Sequence, residues 1–207
     1  MIHYSRICSK YNKFLAFSYQ QPPFRGMIRE SNAERGVRPM YYRKSFSSPA
    51  GMLTLASDGK MLTGLWLEGQ KYFLQTVKND TAVEGDLPVF AATEDWLRRY
   101  FAGEQPDPRE LPLAPRGSDF QQMIWTLLLQ IPYGKTATYG ELARQAATQL
   151  GKASMSAQAV GGAVGHNPIS IIIPCHRVLG ANGSLTGYAG GLEHKRQLLR
   201  LEGISCD

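Results

Sequence analysis

Four prolines fall between residues 105 and 115, in the stretch QPDPRELPLAP, and neither a helix interior nor a sheet interior tolerates that density. Each proline removes a backbone donor and fixes one torsion. The chain is therefore divided here into two parts, and each must find its own regular structure.

The part before the prolines is patterned for strands. MYYRKSFSSP, GMLTLASD and LTGLWLEG read as strands, and Asp58-Gly59 between the last two is a hairpin signal, because such turns favour a positive φ at their central positions. One helix follows in VFAATEDWLRRYFAG, with Phe90, Trp96, Leu97, Tyr100 and Phe101 near helical spacing and Gly103 as its stop. The part after the prolines is patterned for helices. SDFQQMIWTLLLQIP opens on Ser118 with Gln121 three residues on, a capping box, and ends at Pro132; TYGELARQAATQL repeats the device with Thr138 and Glu141. A connector containing Gly151 leads to a third helix, SAQAVGGAVGHN. The expected fold class is α+β: a small antiparallel sheet in an N-terminal lobe, packed on a mainly helical C-terminal lobe with a helix-turn-helix. The expected division is residues 1–39 as a loosely attached basic extension, 40–104 as an α+β domain, 105–117 as a linker and 118–207 as a second domain.

The extension takes most of the charge. Net charge is +6 over 207 residues, of which residues 1–39 carry +5 and residues 40–207 only +1. A body so nearly neutral cannot bind nucleic acid through a broad positive field, so any phosphate contacts it makes are few. Three widely spaced cysteines, Cys8, Cys175 and Cys206, exclude a disulfide framework and a CxxC zinc site and point to a reducing compartment. No apolar run is long enough to span a bilayer, and the expected location is the cytoplasm.

Two local features need explanation. In SIIIPCHRVLG, Cys175 stands directly before His176 and Arg177, and a thiol becomes a nucleophile beside a base or positive charge. The plainer account makes Ile171–Ile173 a short buried strand and Cys175 an inert core thiol. In the third helix, Gly161, Gly162 and Gly165 each cost about 1 kcal/mol of helix propensity relative to alanine. Either a neighbouring helix packs closely there, or bare backbone must approach a nucleic-acid groove.

Taken together, NPISIIIPCHRVLG and GSLTGYAGGLEHKRQLLRLEG closely resemble the O6-alkylguanine-DNA alkyltransferase family, over about residues 41 to 203 and most strongly from 118 onward. The PCHRV signature, the asparagine eight residues before the cysteine, the tyrosine thirteen after it and the glutamate twenty-seven after it all match. The resemblance implies irreversible, single-turnover transfer of an alkyl group from O6 of guanine, and less well from O4 of thymine, to a cysteine. It implies no cofactor, a monomer, and double-stranded DNA containing O6-alkylguanine as the partner; some relatives hold a structural zinc in their N-terminal half, but the only cysteine before Cys175 is Cys8, so no metal is expected.

By the same resemblance Cys175 is the nucleophile, His176 its base acting through a water, and Glu202 the carboxylate that orients the imidazole. Tyr139 matches the proton donor to the leaving base, and Asn167 the hinge between recognition helix and active-site segment. Tyr188 would wall the pocket, the Ala189 amide would face O6, and the Cys175 and Val178 carbonyls would accept from the guanine amino group. Lys195 matches a pocket lysine. The target nucleotide must leave the stack to react, with Gly161 and its small neighbours lying in the minor groove. Arg177 is assigned a structural ion pair. The chain departs from the pattern at Gln158, where many members carry an arginine that fills the gap left by the flipped base, and the connector ATQLGKASMS is about five residues longer than in some relatives. The alternatives are a binding protein that only flags alkylated DNA and a cysteine hydrolase; the presence of Cys175 opposes the first, and the adjacent Cys-His pair is poor geometry for the second.

Overall fold

The computed structural model describes residues 40–205; the expected extension 1–39, with Cys8, lies outside them, as does Cys206. Strands β1 (Met40–Ser48), β2 (Gly51–Ser57) and β3 (Leu62–Leu67) form an antiparallel meander, joined first by a tight turn at Pro49 and Ala50 and then by residues 58–61. In that second turn only Gly59 is left-handed, at φ +105°. Asp58 instead caps the loop through its side chain, with Oδ1 accepting from the amides of Lys60 and Met61. A fourth strand, β4 (Thr81–Glu84), adds parallel to β1, so the spatial order is β3-β2-β1-β4 and the sheet is antiparallel except at one edge. Helix α1 (Pro88–Phe101) starts on the proline, as its missing donor permits, and is followed by Gly103 at φ +86°.

The C-terminal lobe holds α2 (Asp119–Leu128), α3 (Tyr139–Gln149), α4 (Ala157–Gly165) and α5 (Leu192–Leu201). Both expected capping boxes form: the Ser118 hydroxyl accepts from the Gln121 amide and that of Thr138 from Glu141, and each N3 side chain returns to its cap amide. Two short strands, β5 (Ala137–Thr138) and β6 (Val178–Leu179), pair in parallel and bring the start of α3 beside the residues after Cys175.

The run before Cys175 does not form the expected strand. Ile169 makes a single bridge with Leu65, and Ile171, at φ +69°, turns the chain. Residues 169–173 are nonetheless fully buried, because side-chain packing covers them where a ladder does not. Their backbone finishes the outer edge of β3: the Leu65 amide donates to the Pro168 carbonyl and the Ser170 amide to the Leu65 carbonyl, both at 2.8 Å. The proline-rich segment covers the same edge one step along, with Leu62 N donating to Pro112 O and Ala114 N to Leu62 O. The exposed edge that a short sheet would otherwise present is thus paired to the C-terminal lobe.

One apolar core crosses the boundary, joining Leu53, Leu55 and Leu65 of the sheet with Phe90 and Trp96 of α1 and with Trp125, Leu128, Val160 and Ile172. Trp125 fixes α4: its indole Nε1 donates at 2.9 Å to the carbonyl of Ala163, one of the last-turn carbonyls that a helix leaves without an internal partner. Replacing Trp125 by Phe should strand that carbonyl and open a cavity, and an unfolding free energy lower by about 3 kcal/mol is expected in urea titration.

Candidate active site

Cys175 begins a single 3-10 turn, Cys175–Arg177, directly after Pro174. The residue is 5% exposed. Asn167, just past the end of α4, is the organiser on one side. Its Oδ1 accepts from the Ile169 amide at 3.0 Å, and its Nδ2 donates to the Ile173 carbonyl at 2.8 Å and lies 3.1 Å from Cys175 Sγ. The end of the small-residue helix, the turn after it and the sulfur are tied together through one buried amide.

On the other side the turn places His176 and Arg177 against Glu202, the residue that ends α5. His176 Nε2 is 2.7 Å from Glu202 Oε1; Arg177 grips the same carboxylate with Nε at 2.8 Å and Nη2 at 3.0 Å, and donates its Nη1 to the Ile131 carbonyl. Arg177 therefore turns away from the sulfur, in the ion pair expected of it. The Gly134 amide adds a further donor at 3.2 Å. Burial pushes the Glu202 acid up, but the hydrogen bonds and charges of His176 and Arg177 outweigh it and lower the acid to about 2. An ionised carboxylate only accepts, so the proton of neutral His176 sits on Nε2 and the lone pair on Nδ1. Nδ1 is buried, with no hydrogen-bond partner in the protein.

The surroundings push both Cys175 and His176 toward their neutral forms. Burial raises the Cys175 thiol above its ordinary value, and the Asn167 hydrogen bond, the Lys195 charge and the amides of Cys175 and His176 oppose it only in part. Burial also lowers His176, against the pull of Glu202. The positive charge beside the cysteine in the sequence does not ionise it.

Lys195 of α5 is fully buried, and its ammonium donates to the carbonyls of Val178 at 2.5 Å and Thr186 at 2.8 Å. One lone pair of the Val178 carbonyl, expected to face a guanine amino group, is thereby occupied. Tyr139, the first residue of α3, has its hydroxyl 3.3 Å from the Gly187 carbonyl, and its phenol is raised by burial and by the nearness of Cys175. The Tyr188 phenol is raised further, by burial and by the same sulfur. The Ala189 carbonyl accepts from the Lys71 amide at 2.8 Å. Tyr139, Tyr188 and Lys195 thus converge on Cys175 from α3, from the 180–191 loop and from α5.

Gln158 and Gly161 lie on α4, Gly161 beside the Tyr139 ring. Gln158 is exposed in the first turn, where its amide is capped by Ser156. A methyl group built on Gly161 would meet only the Tyr139 ring, at an ordinary 3.7 Å, and one on Gly162 or Gly165 would meet nothing within 4 Å. Close helix packing does not require these glycines.

Several residues that line the site had no signal in the sequence. Tyr100 of α1 donates its hydroxyl to Glu202 Oε1 at 2.8 Å. Gln70 Oε1 accepts from Ser170 Oγ at 3.1 Å, and Tyr72 stacks on His166 with ring centroids 4.0 Å apart. All three come from the N-terminal lobe, about 95 to 102 residues from their partners, and no local pattern reports so distant a contact. Among the described residues no three His, Cys, Asp or Glu side chains gather to hold a metal, and no helix is long and apolar enough to cross a membrane.

Two family models match this chain. The DNA-binding domain of 6-O-methylguanine DNA methyltransferase covers residues 119–204, and the ribonuclease-like domain of the same protein covers residues 40–115. The methylated-DNA--protein-cysteine methyltransferase of Mycobacterium tuberculosis is 48% identical over 163 residues, which are 79% of this chain and 93% of the relative. That of Haemophilus influenzae is 45% identical over 163 residues, 79% of this chain and 87% of the relative. The crystal structure of Mycobacterium tuberculosis OGT in complex with DNA superposes with a TM-score of 0.65 at 46% identity, covering 79% of this chain and 92% of that one. With identity at this level across nearly all of the described residues, the chain belongs to the 6-O-methylguanine DNA methyltransferase family.

Proposed function

We propose that this protein repairs O6-alkylguanine in double-stranded DNA by moving the alkyl group irreversibly onto Cys175, acting as a monomer in the cytoplasm. Residues 118–207 are the DNA-binding and catalytic domain, 40–104 the domain that supports it and 105–117 the linker between them. The observation that carries this reading is the buried relay in which Asn167 holds the sulfur while Glu202 fixes His176 with a bare Nδ1.

The reaction needs a sulfur–carbon bond made in line with the carbon–oxygen bond that breaks. His176 Nδ1 takes the thiol proton through an intervening water, and Glu202 stabilises the imidazolium that results. The departing guanine carries the electron pair of the broken bond, and Tyr139 gives it a proton. A thiolate formed only as the proton leaves suits a site whose burial disfavours a standing charge. Lys195 supplies a fixed positive charge nearby, while Tyr188 and Ala189 shape the space for the base. The thioether has no group here that would cleave it, so one molecule acts once. A protein that only bound lesions would have no use for this relay.

The helix α4 fits the DNA side. Gln158, Ala159 and Gly162 are exposed on it, and the backbone between them is open to a groove. Chemistry on O6 requires the nucleotide to be extruded, and Gln158, neutral and shorter than arginine, stacks less well in the gap left behind.

Three outcomes are expected. Incubation with O6-benzylguanine followed by mass spectrometry should show one stable benzyl adduct on the peptide containing Cys175, and none in Cys175→Ala; repair of a damaged duplex by Cys175→Ala would overturn the reading. Gln158→Arg should speed repair of a duplex lesion severalfold and leave the rate with free O6-benzylguanine unchanged, since only the duplex requires extrusion. Gly162→Leu should raise the helix propensity of α4 and leave thermal stability intact, yet weaken duplex binding about tenfold, near 1.4 kcal/mol, in a fluorescence titration.

A further inference from the structure

Glu202 is held by more than its own lobe. Arg177 donates twice to its carboxylate, His176 once and the Gly134 amide once, and the remaining donor is the Tyr100 hydroxyl, from α1 of the N-terminal lobe. Tyr100 is 1% exposed. Its ring stacks on Trp96 at 5.5 Å and meets Phe101 and Tyr133 edge-on. A phenylalanine would complete that apolar packing without burying a hydroxyl, so the oxygen is explained by what it touches. It touches two groups: Glu202 Oε1 at 2.8 Å and His176 Nε2 at 3.4 Å.

We propose that Tyr100 is a positioning residue for the transfer reaction: by committing its proton to Glu202 it keeps His176 protonated on Nε2 and limits how much of the carboxylate's charge the imidazole feels. The proposal rests on the reading of His176 as the base for Cys175. Tyr100 presents only its oxygen lone pairs to Nε2, since its proton lies toward the carboxylate, so the nitrogen facing it must be the one that carries hydrogen. Each donor on Glu202 also draws charge away from the imidazole, so that His176 stays basic enough to accept the thiol proton and acidic enough to remain neutral beforehand. Burial sets His176 below its ordinary value and Glu202 pulls it back up, so the strength of that pull is what a donor on the carboxylate can adjust. The other charged or titratable groups around the pair, among the described residues, are Arg177 on the same turn, Lys195 on α5, Cys175 itself, Tyr188 of the 180–191 loop, and Tyr133, whose hydroxyl donates to the Leu201 carbonyl. Among the groups that donate a hydrogen bond to the carboxylate, Tyr100 alone comes from the N-terminal lobe, and through it the packing of α1 bears on the reactivity of a cysteine in the other lobe.

The test is the pH dependence of Cys175 alkylation by free O6-benzylguanine in the full chain. With one donor withdrawn in Tyr100→Phe, the carboxylate acts more strongly on His176, the imidazolium is favoured, and the folded-state value of His176 rises. The base is then lost at higher pH, and the acid-side midpoint of the rate profile should move up by about one pH unit, the size of one charge-assisted hydrogen bond. Placing 3-fluorotyrosine at position 100 keeps the packing and strengthens the donor, so the midpoint should move down; this arm stands if the phenylalanine variant folds poorly. A merely structural role would scale the rate equally at every pH, and midpoints unmoved in both proteins would overturn the proposal. Glu202→Gln separates the two levels. If it alkylates at the unmodified rate, the reading of His176 as a base supported by Glu202 fails; if it is slow while the Tyr100 midpoints stay fixed, only the role of Tyr100 fails.

Discussion

The Glu202 carboxylate is the interaction on which the rest of the site depends. It is a buried anion, and such a charge persists only when donors replace the water it has lost. Here Arg177, His176, Tyr100 and the Gly134 amide do so, and they come from the turn after Cys175, from α1 and from the loop before β5. The carboxylate is thus a structural node and a chemical one together. Removing it would leave the Arg177 guanidinium buried without its counter-ion, so the same residue that orients the imidazole also holds α5 to the reactive turn. Its depressed acid fixes the pH sense of that contribution. The stability it supplies is fully present above the ordinary carboxylate range and is lost as pH falls from there toward about 2.

The thiol is governed by the opposite balance. Its burial outweighs the donors and the lysine charge around it, so the thiol is pushed toward its protonated form. For a protein consumed by one reaction this has a physical logic: a standing thiolate would be open to any electrophile small enough to enter. Selectivity then comes from coupling, because deprotonation, attack and protonation of the leaving base must all be arranged by one bound guanine. Asn167 makes that arrangement local, since the amide that lies against Cys175 Sγ also closes the turn below α4.

What was legible in the sequence was local or carried by motif. The capping boxes at Ser118 and Thr138 could be read because cap and partner are three residues apart, and Cys175, Asn167 and Glu202 because their spacings match a family pattern. The run Ile171–Ile173 was misleading: a short apolar stretch says that it is buried and does not say whether a ladder or packed side chains bury it. Strand β4 was invisible because TAVE is mostly exposed at a sheet edge, with no alternation to betray it. Tyr100 read as one more aromatic on the inner face of α1. The hydroxyl that distinguishes it from its neighbours has meaning only beside Glu202, 102 residues later.

Backbone strain marks where the lobes constrain each other. Among the described residues, the non-glycine positions in the left-handed region are Tyr72, Leu74 and Ile171, and each conformation costs on the order of 1 kcal/mol. Tyr72 and Ile171 lie at the seam between the lobes, whereas Leu74 packs on the cluster of Tyr41, Ala56, Trp66 and Val77 within the N-terminal lobe. Gln70 reaches Ser170, the Lys71 amide holds the Ala189 carbonyl and Tyr72 stacks on His166 at the end of α4, so three consecutive residues brace the three segments that frame the cysteine. Ile171 answers from the other side, bent beside the residue that Gln70 grips. Within its own segment the turn at Ile171 is closed by Asn167 and by the Ile173 amide on the Ile169 carbonyl, and the pairing of β3 with residues 168–170 fixes where that turn sits. The N-terminal lobe, which contributes no nucleophile and no base, therefore acts on the chemistry by fixing the backbone on which the sulfur is carried.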